Sequence, residues 1–499
     1  MSSAESQNIR ILDLMESSGV KFGTSGARGL ADDMTDYVCY AYSLAFLQYL
    51  LESSQINKGD RVAIAGDFRP SSPRIMAAVA KAATDAGCAP VNCGFIPTPA
   101  VACYAMKRGI ASIMVTGSHI PDDRNGIKFY KPAGEILKPD EQAMCARSVS
   151  IAAGLFDHTG QSLVASLPLE QGEAGREFVQ RYLDFFPAGC LEGLKVGVYE
   201  HSSVARDILG EVIAGLGAEV VHLGRSDHFI PVDTEAIRPE DVTLARAWSQ
   251  EFKLDCIVSA DGDGDRPLVS DEHGQWLRGD VAGILCAHYL GAQHVATPVS
   301  CNSAVEKSGW FSQVDRTRIG SPFVIQAMDK AIAAGVTNVV GYEANGGFLT
   351  ATDIEIEGRR LTALPTRDAV IVPLAILMLA KAFTSSVSAL LEQLPQRFTS
   401  SDRLAFPTEL SQEKLKPLNS DDLQQSKRSA EAILGSVFGS VISVDNTDGV
   451  RITFKNNEVV HLRPSGNAPE LRCYNEADTE ERAVEMNRVC LQILESWRH

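Results

Sequence analysis

The chain has 499 residues, which at roughly 100–200 residues per domain predicts three or four domains. Hydrophobic residues make up 45% of it, so large cores can form and wholesale disorder is excluded. The 46 lysines and arginines stand against 63 aspartates and glutamates, a net charge of −17. This balance argues against nucleic acid or an anionic membrane as a partner, but allows a local basic pocket for a small anion.

The cysteines and the apolar segments indicate in which cellular compartment the protein is expected. The 11 cysteines are scattered without a C-x-x-C pair, which is typical of a reducing setting, and we expect a cytoplasmic protein. The first residues, MSSAESQNIR, lack the apolar stretch of a secretory signal. The longest apolar run, at residues 369–380, is too short to span a bilayer and predicts a buried helix.

Short β-branched segments alternate with longer amphipathic ones along most of the chain. This alternation predicts repeated α/β domains of similar build, with parallel sheets and crossover helices, in which a strand leads through a glycine-bearing loop into a helix. Strands are predicted at residues 61–65, 111–115, 196–199, 219–223, 256–259 and 338–340, and helices at residues 75–86 and 205–216.

After about residue 395 the pattern changes. Strands are predicted at residues 440–444, 450–454 and 459–462, with a terminal helix at 480–497 and a mostly polar connection at 417–426. We therefore expect a mixed α/β fold of three similar domains and a C-terminal α+β domain. The predicted domains cover residues 1–163, 164–275, 276–390 and 391–499.

Two glycine-bearing loops of the first domain carry candidate catalytic side chains. Residues 22–29 (FGTSGARG) lack the lysine of a Walker loop, and are either a phosphate-contacting loop or a flexible turn. Residues 116–121 (TGSHIP) follow a strand and hold Ser118, a candidate nucleophile or phosphate carrier. His119 and Lys128 are candidates for moving protons. Taken alone, this segment is also compatible with an ordinary loop.

Residues 261–266 (DGDGDR) carry the strongest chemical signal. Asp261, Asp263 and Asp265 alternate with glycines after a predicted strand, so their oxygens can converge on one hard cation. All-oxygen ligation favours Mg²⁺ over zinc. The alternatives are a solvated acidic turn and a calcium loop, although an EF-hand needs helical flanks and the upstream segment here is β-like.

Two later loops offer ligands for hydroxyl and phosphate groups. In residues 341–347 (GYEANGG), Glu343 and Asn345 can accept from and donate to vicinal sugar hydroxyls. The segment 463–472 places two arginines around a Ser-Gly-Asn turn, which suits a phosphate clamp. The alternatives are a glycine turn with an incidental acid and an ordinary turn with solvated arginines.

Together and in this order, the loops resemble the motifs of the α-D-phosphohexomutase superfamily, above all its bacterial phosphomannomutases and phosphoglucomutases. The metal loop D-G-D-G-D-R of that family matches residues 261–266, and F-G-T-S-G-x-R-G matches residues 22–29. Its active-serine loop T-A-S-H-N-P resembles residues 116–121, its sugar loop G-E-x-S/N-G resembles residues 342–346, and its phosphate loop R-x-S-G-T-E-P resembles residues 463–469.

The resemblance spans residues 22–472 and implies a four-domain enzyme in which each domain contributes one loop to a central cleft. Ser118 is expected to carry a phosphoryl group and to bind Mg²⁺ together with the three aspartates. Arg28 and Arg266 would assist at the transferred phosphate, with His119 and Lys128 in proton transfer. The expected ligands of the sugar and of its other phosphate are Glu343, Asn345, Arg463, Ser465, Gly466, Asn467 and Arg472.

The implied activity is that of an isomerase, an intramolecular phosphotransferase that interconverts hexose 6-phosphate and hexose 1-phosphate. It would proceed through a phosphoserine and a bound hexose 1,6-bisphosphate. Mannose phosphate is the expected sugar, with glucose or glucosamine phosphate as alternatives, and an inactive sugar-phosphate-binding homologue is a remoter alternative. The expected partner is a small-molecule sugar phosphate, bound by a monomer or homodimer, with no nucleic acid and no membrane.

Several positions depart from the family pattern. Gly117 and Ile120 replace the usual Ala and Asn of the serine loop, and Asn467 with its neighbouring alanine replaces Thr-Glu in the phosphate loop. Gly347 stands where many mannose and glucose members carry His. The turn at residues 200–203 lacks the usual Asp and Gly of the family, so we expect that turn to have a structural role.

Overall fold

The computed structural model describes residues 6–23, 26–420, 422–465 and 469–498. Within these residues the chain forms three mixed α/β domains followed by an α+β domain, which confirms the predicted fold class. No helix in this described part of the chain is long and apolar enough to cross a membrane.

The first domain is built on a seven-stranded sheet with the order β2-β3-β7-β6-β4-β5, in which β8 pairs with β7. Strands β6, β4 and β5 run parallel and β7 runs antiparallel to β6, while β1 and β9 form a separate antiparallel pair. The elements are β1 (Ser6–Arg10), α1 (Ile11–Ser18), β2 (Lys21–Phe22), β3 (Ala27–Leu30), α2 (Asp36–Glu52), β4 (Arg61–Gly66), α3 (Ser72–Asp85), β5 (Ala89–Asn92), α4 (Thr98–Arg108), β6 (Ala111–Val115), β7 (Arg124–Lys131), β8 (Gly134–Glu135), α5 (Lys138–Cys145) and β9 (Ser148–Ala152).

Strand β4 shows why the central strands read as unbroken apolar runs. Successive side chains of a strand point to opposite faces. Val62 and Ile64 pack in the core that contains α2 and α3, whereas Ala63 and Ala65 pack on the other face beside Tyr104 of α4. Because helices cover both faces, neither face needs polar residues.

The second domain has the strand order β11-β10-β12-β13, and the third has β15-β14-β16-β17 with a separate β18–β19 hairpin. The elements of the second are α6 (Glu173–Phe185), β10 (Lys195–Tyr199), α7 (Arg206–Gly215), β11 (Glu219–Leu223), α8 (Pro239–Phe252), β12 (Cys256–Ala260) and β13 (Pro267–Val269). Those of the third are α9 (Gly279–Tyr289), β14 (His294–Pro298), α10 (Ala304–Lys307), β15 (Gln313–Thr317), α11 (Ser321–Ala333), β16 (Val339–Tyr342), β17 (Phe348–Thr350), β18 (Ile354–Ile356), β19 (Arg359–Leu361), α12 (Ile371–Ala382) and α13 (Val387–Leu391).

The three α/β domains share one four-strand core. In each, the first strand lies between the second and the third in parallel, and a fourth strand runs antiparallel beside the third. This repeat confirms the predicted similarity of the domains and corrects one detail. The glycine-bearing loops after β6, β12 and β16 lead into antiparallel strands rather than into helices, so the sheets are mixed.

The C-terminal domain is a five-stranded antiparallel sheet with the order β20-β24-β23-β22-β21, packed against helices. The prediction of a polar connection at residues 417–426 is wrong in its second half. Helix α15 begins there, because Asp422 accepts a hydrogen bond from the backbone of Gln424 and caps the helix. The elements are β20 (Phe398–Ala405), α14 (Thr408–Leu415), a 3₁₀ turn (Lys416–Leu418), α15 (Leu423–Phe438), β21 (Val441–Asp445), β22 (Val450–Phe454), β23 (Val459–Pro464), β24 (Glu470–Ala477) and α16 (Glu480–Ser496).

Candidate functional site

Three predicted site loops occupy equivalent positions in their domains. Each connects the third strand of the four-strand core to its antiparallel neighbour: residues 116–123 join β6 to β7, residues 261–266 join β12 to β13, and residues 343–347 join β16 to β17. The carboxyl ends of parallel strands are where α/β sheets usually bind ligands. The repeated fold therefore explains why the chemistry recurs after the same kind of strand.

Ser118 is fully buried and has a left-handed backbone conformation, with φ of 57°. This conformation is costly for a residue other than glycine and needs support. Arg69 supplies it, donating hydrogen bonds to the carbonyl oxygens of Ser118 at 2.8 Å and Ile120 at 2.5 Å, and pairing with Asp67 at 3.0 Å. The Ser118 hydroxyl donates to Oδ2 of Asp261 at 2.7 Å. The serine loop (residues 116–121) and the acidic loop (residues 261–266) are therefore in direct contact.

The same arginine accounts for Gly117, one of the two departures from the family pattern in this loop, and is compatible with the other, Ile120. A Cβ atom at Gly117 would lie 2.6 Å from Cζ of Arg69, so the position has no room for alanine while the guanidinium is in place. Ile120 is bound to Arg69 through its backbone carbonyl, which any residue can provide. The serine loop is thus adapted to a buried arginine beneath it.

The three aspartates of the acidic loop converge as the sequence predicts. Asp261, Asp263 and Asp265 are all buried, and one carboxylate oxygen from each lies within 4.8 Å of the others. Lys128 donates from Nζ to Oδ2 of Asp263 and to Oδ2 of Asp265, both at 2.6 Å. The Oδ1 atoms of these two residues are buried without a hydrogen-bond partner among the described residues.

These two oxygens, of which Oδ1 of Asp265 lies 3.7 Å from Nε of the Arg266 cation, indicate what the loop can hold. A buried carboxylate oxygen without a partner is costly, and a hard divalent cation is the group that several converging carboxylates suit. Burial and the neighbouring Asp263 and Asp265 carboxylates raise the pKa of Asp261 well above its usual range. A bound cation would relieve that repulsion, so the residues present fit a metal site.

His119 and Arg266 lie beside Ser118. Arg266 donates from Nη1 to Nδ1 of His119 at 2.8 Å, which assigns the ring proton to Nε2, and the same Nδ1 is 3.4 Å from the Ser118 hydroxyl. Burial and the positive charge of Arg266 lower the pKa of His119 to about 4, so the ring is neutral at pH 7. Burial and Arg266 also lower the pKa of Arg28 to about 10, which leaves it charged.

The sugar loop contains an interaction that the sequence did not suggest. Glu343 is buried and accepts a hydrogen bond from Nε of Arg367 at 2.5 Å. Asn345 accepts from the backbone of Gly347 at 3.0 Å, which closes the glycine turn. No motif marked Arg367, because its partner is 24 residues away in sequence.

The C-terminal domain presents a row of three arginines. Arg403, Arg472 and Arg463 pair directly across the neighbouring strands β20, β24 and β23, so their side chains share one face of the sheet. Like charges at paired positions destabilise a sheet. Glu470, 3.9 Å from both Arg403 and Arg472, and Asp448, 3.0 Å from Arg463, offset part of this charge. The remaining positive charge suits a phosphate dianion.

These elements enclose a cleft of about 610 Å³ between the domains. The structure brings most of the predicted site residues to its wall, and Ser118 and the aspartates lie buried beside them. Gly466 and Asn467 lie outside the described residues. Predicted residues at the wall are Arg28, His119, Lys128, Arg266, Glu343, Asn345, Arg463, Ser465 and Arg472. Wall residues that the sequence did not suggest are Asp233, Glu235, Ala236, Ile319, Gly320, Arg367, Ser401, Asp402, Arg403 and Tyr474.

The turn at residues 200–203 supports the acidic loop from behind. His201 is hydrogen-bonded through Nε2 to the carbonyl of Ala260 at 2.7 Å, and Ser203 donates to the carbonyl of Asp261 at 2.7 Å. Both contacts hold backbone atoms rather than facing the cleft. The structure therefore agrees with the structural role expected for this turn.

This support predicts a pH-dependent stability. Burial lowers the pKa of His201 to about 4, and its Nδ1 has no hydrogen-bond partner among the described residues. Below pH 6.5 the unfolded chain binds a proton that the folded protein does not, so stability falls as the pH drops towards 4. We expect His201 to account for a loss of about 2 kcal/mol between pH 7 and pH 5.

Urea unfolding of wild type and His201→Asn at both pH values measures this effect. Asparagine tolerates the positive φ of 28° at this position and does not titrate. The variant should therefore lose less stability on acidification than wild type. The exposed His158→Asn variant serves as the control, and an equal pH dependence in all three proteins would contradict the expectation.

Comparison with known families matches the four domains in order. The matching descriptions are phosphoglucomutase/phosphomannomutase alpha/beta/alpha domain I at residues 19–152, domain II at residues 179–274, domain III at residues 278–398, and the C-terminal domain at residues 412–490. Together these matches cover most of the chain.

Individual proteins agree with this result. A phosphomannomutase of Salmonella muenchen is 43% identical over 487 residues, which cover 97% of each chain. The crystal structure of a phosphoglucomutase/phosphomannomutase family protein from Burkholderia thailandensis superposes with a TM-score of 0.70 at 21% identity, covering 95% of this chain and 97% of that one. An Aspergillus fumigatus N-acetylphosphoglucosamine mutase, crystallised with GlcNAc-6P and magnesium, shares the fold with a TM-score of 0.58 at 14% identity, covering 98% of this chain and 99% of that one.

Proposed function

Because the chain belongs to the phosphoglucomutase/phosphomannomutase family, we propose that it interconverts hexose 6-phosphate and hexose 1-phosphate, with mannose phosphate as the preferred sugar. The observation that carries this proposal is the contact between the Ser118 hydroxyl and Asp261, at 2.7 Å, beside a cleft with a row of arginines on its wall. A serine beside a cation site can carry a phosphoryl group, and a separate basic wall can hold a second phosphate.

In the proposed reaction, phosphorylated Ser118 donates its phosphoryl group to the free hydroxyl of a hexose phosphate. The sugar oxygen forms a bond to phosphorus as the bond from phosphorus to the Ser118 oxygen breaks, which gives bound hexose 1,6-bisphosphate. The intermediate then turns over, and its other phosphoryl group returns to Ser118. Arg28 and Arg266 provide positive charge around the transferred group, which phosphoryl transfer requires.

Proton transfer is assigned to the groups next to Ser118. The neutral ring of His119, whose Nδ1 is 3.4 Å from the serine hydroxyl, can accept the proton that the sugar hydroxyl loses once Arg266, which now donates to that Nδ1, turns to the transferred phosphoryl group. Lys128, which contacts Asp263 and Asp265, holds the acidic loop and remains positively charged near the phosphoryl group. We propose that Ser118, Asp261, Asp263 and Asp265 hold Mg²⁺, which when bound neutralises phosphate charge.

The rest of the cleft is assigned to the sugar and its second phosphate. Glu343 and Asn345 would bind sugar hydroxyls in both orientations of the intermediate. The clamp for the other phosphate would consist of Arg463, Arg472 and Ser465, with Gly466 and Asn467, which follow Ser465 in the sequence. The register of the strands adds Arg403 to this clamp, as the outermost member of the arginine row.

The domain division is also proposed from the sequence. Each of the four main sheets lies within one of the proposed domains 1–163, 164–275, 276–390 and 391–499, which supports that division. We further propose a cytoplasmic monomer or homodimer that acts on a small-molecule sugar phosphate, without nucleic acid or membrane as a partner.

A panel of kcat/KM values tests the proposed function. Wild-type protein with Mg²⁺ and a trace of hexose 1,6-bisphosphate is assayed with mannose, glucose and glucosamine 1-phosphates. We expect the highest kcat/KM with mannose 1-phosphate and a lower value with glucose 1-phosphate. A higher value with glucosamine phosphate would overturn the sugar assignment, and no turnover of any sugar would overturn the function.

The arginine row predicts a selective effect on substrate affinity. Arg463→Ala should raise KM about 10-fold to 100-fold with a smaller change in kcat, because the clamp binds the non-reacting phosphate in ground and transition states alike. Arg403→Ala should raise KM by less, about threefold to tenfold, because Arg403 is the most exposed of the three arginines.

Steady-state kinetics measure both effects. Arg482→Ala is a matched control, because this arginine lies in the same domain and pairs with Glu458 instead of lining the cleft. A loss confined to kcat in Arg463→Ala would contradict the clamp assignment.

A further inference from the structure

Arg367 lies where the acidic loop of the second domain meets the sugar loop of the third. Its side chain is 3% exposed. Nε donates to Oε2 of Glu343 at 2.5 Å, and Nη1 is 3.6 Å from Oδ2 of Asp265. A buried guanidinium is stable only with charged partners, and these come from two different domains. The side chain therefore links two loops that the proposed reaction must hold in register.

The residues on either side of Arg367 are anchored through their side chains. Thr366 donates to Oε1 of Glu135 in the first domain at 2.7 Å. Asp368 accepts from the hydroxyl of Tyr182 in the second domain, also at 2.7 Å. With its neighbours anchored to two other domains, Arg367 presents its guanidinium at a defined place, as a residue that orients another one must.

Gly347 has no side chain, and this leaves room for the side chain of Arg367. A Cβ atom there would lie 2.5 Å from Cδ of Arg367 and 2.8 Å from its Cγ. A larger residue would have to displace the arginine or distort the turn that Asn345 closes. The glycine at this position and the buried arginine are therefore two parts of one arrangement.

We propose that Arg367 is a positioning residue, which braces Glu343 against Asp265 of the acidic loop and so holds the Glu343 carboxylate in place for a sugar hydroxyl. This inference rests on the proposed function, because Glu343 has a sugar to bind only there. One Glu343 oxygen is bonded to Arg367, and the other is left for the sugar. Since a misplacement of about 1 Å can cost about 100-fold in rate, the sugar depends on this contact to meet the phosphoserine in line.

Arg367→Lys and Gly347→Ala test the role by different routes. Lysine keeps the buried charge but cannot reach both carboxylates with one planar group. Alanine at 347 keeps every charge and displaces the arginine. We expect both variants to lose about 100-fold in kcat/KM, mostly in kcat, when assayed well below their melting temperatures. Arg360→Lys is the control, because this exposed arginine of the same domain pairs with Asp353 away from the cleft.

A double-mutant cycle separates positioning from a merely structural role. If Arg367 acts through Glu343, the double variant Arg367→Lys/Glu343→Gln should be within about threefold of Glu343→Gln alone. Losses that multiply would overturn the inference, as would Arg367→Lys and Gly347→Ala variants that both keep half of the wild-type kcat/KM. If Arg367→Lys fails to fold, Gly347→Ala decides. The variant results bear only on the role of Arg367 and do not affect the proposed function. The proposed function itself would be overturned if the wild-type protein were inactive on every hexose phosphate.

Discussion

Wild-type protein treated with hexose 1,6-bisphosphate should gain about 80 Da, the mass of one phosphoryl group, and Ser118→Ala should not. The same substitution should lower kcat by about 10⁴-fold or more, because the proposed reaction has no other group to carry the phosphoryl between the two sugar oxygens. The buried hydroxyl contacts Asp261 at 2.7 Å, so it is placed next to the charge that would stabilise its phosphorylated form through a cation. Intact-mass spectrometry and a coupled mutase assay measure the two effects.

Ser112→Ala provides the matched control. Ser112 is buried on β6 in the same domain, and its hydroxyl has no hydrogen-bond partner among the described residues. Its removal should leave both the mass gain and the turnover unchanged. An unmodified wild-type protein without turnover would favour an inactive sugar-phosphate-binding homologue, whereas a mass gain that persists in Ser118→Ala would move the phosphoryl carrier to another residue.

Asp263→Asn should lower kcat by about 100-fold to 1000-fold with KM changed by only a few-fold. The asparagine oxygen can still accept the hydrogen bonds that Lys128 and Thr98 now give to Oδ2. The amide nitrogen then replaces the unpartnered Oδ1, and an amide NH₂ cannot bind a cation. The loss falls mainly on kcat, because charge neutralisation matters most in the transition state.

Mg²⁺ titrations of activity complete this test. The variant should need a higher Mg²⁺ concentration for half-maximal activity than wild type. Asp271→Asn is a suitable control, since Asp271 is a buried acid of the same domain that binds backbone amides of a turn outside the cleft. Its loss should lower the melting temperature and leave kcat intact. An unchanged kcat and Mg²⁺ dependence in Asp263→Asn would contradict the metal assignment.

Much of the fold could be predicted from local pattern. Strands expected at residues 111–115, 219–223 and 450–454 match β6, β11 and β22, because a short segment rich in β-branched and apolar residues between turns gives a strong strand signal, even where the strand is partly exposed, as β11 is. The polar beginning of α15 left no such signal, since a helix that starts at an exposed cap resembles a loop. The antiparallel strands after the glycine loops, β7, β13 and β17, were missed for a different reason. Their pairing depends on neighbours far along the chain.

In the candidate site, too, some features could be predicted from local sequence and others depend on residues far apart in the chain. Ser118, Asp261, Asp263 and Asp265 were predictable because a motif written within a few residues specifies a loop, and the loop then fixes where its own side chains project. The contact between Ser118 and Asp261 joins residues 143 positions apart in the sequence. A local motif cannot predict that two residues so far apart in the chain lie next to each other in space.

The sequence by itself determined the loops, their order and the residue types that suit phosphate, sugar and cation. Only the tertiary structure decided that Arg367 bridges Glu343 and Asp265, and that Arg403 joins Arg463 and Arg472 in one row. An isolated arginine carries no motif, because its role depends on which carboxylates or which neighbouring strands the packing brings to it. Such pairings arise from sheet register and domain contact, which are set by the burial of apolar surface across the whole chain.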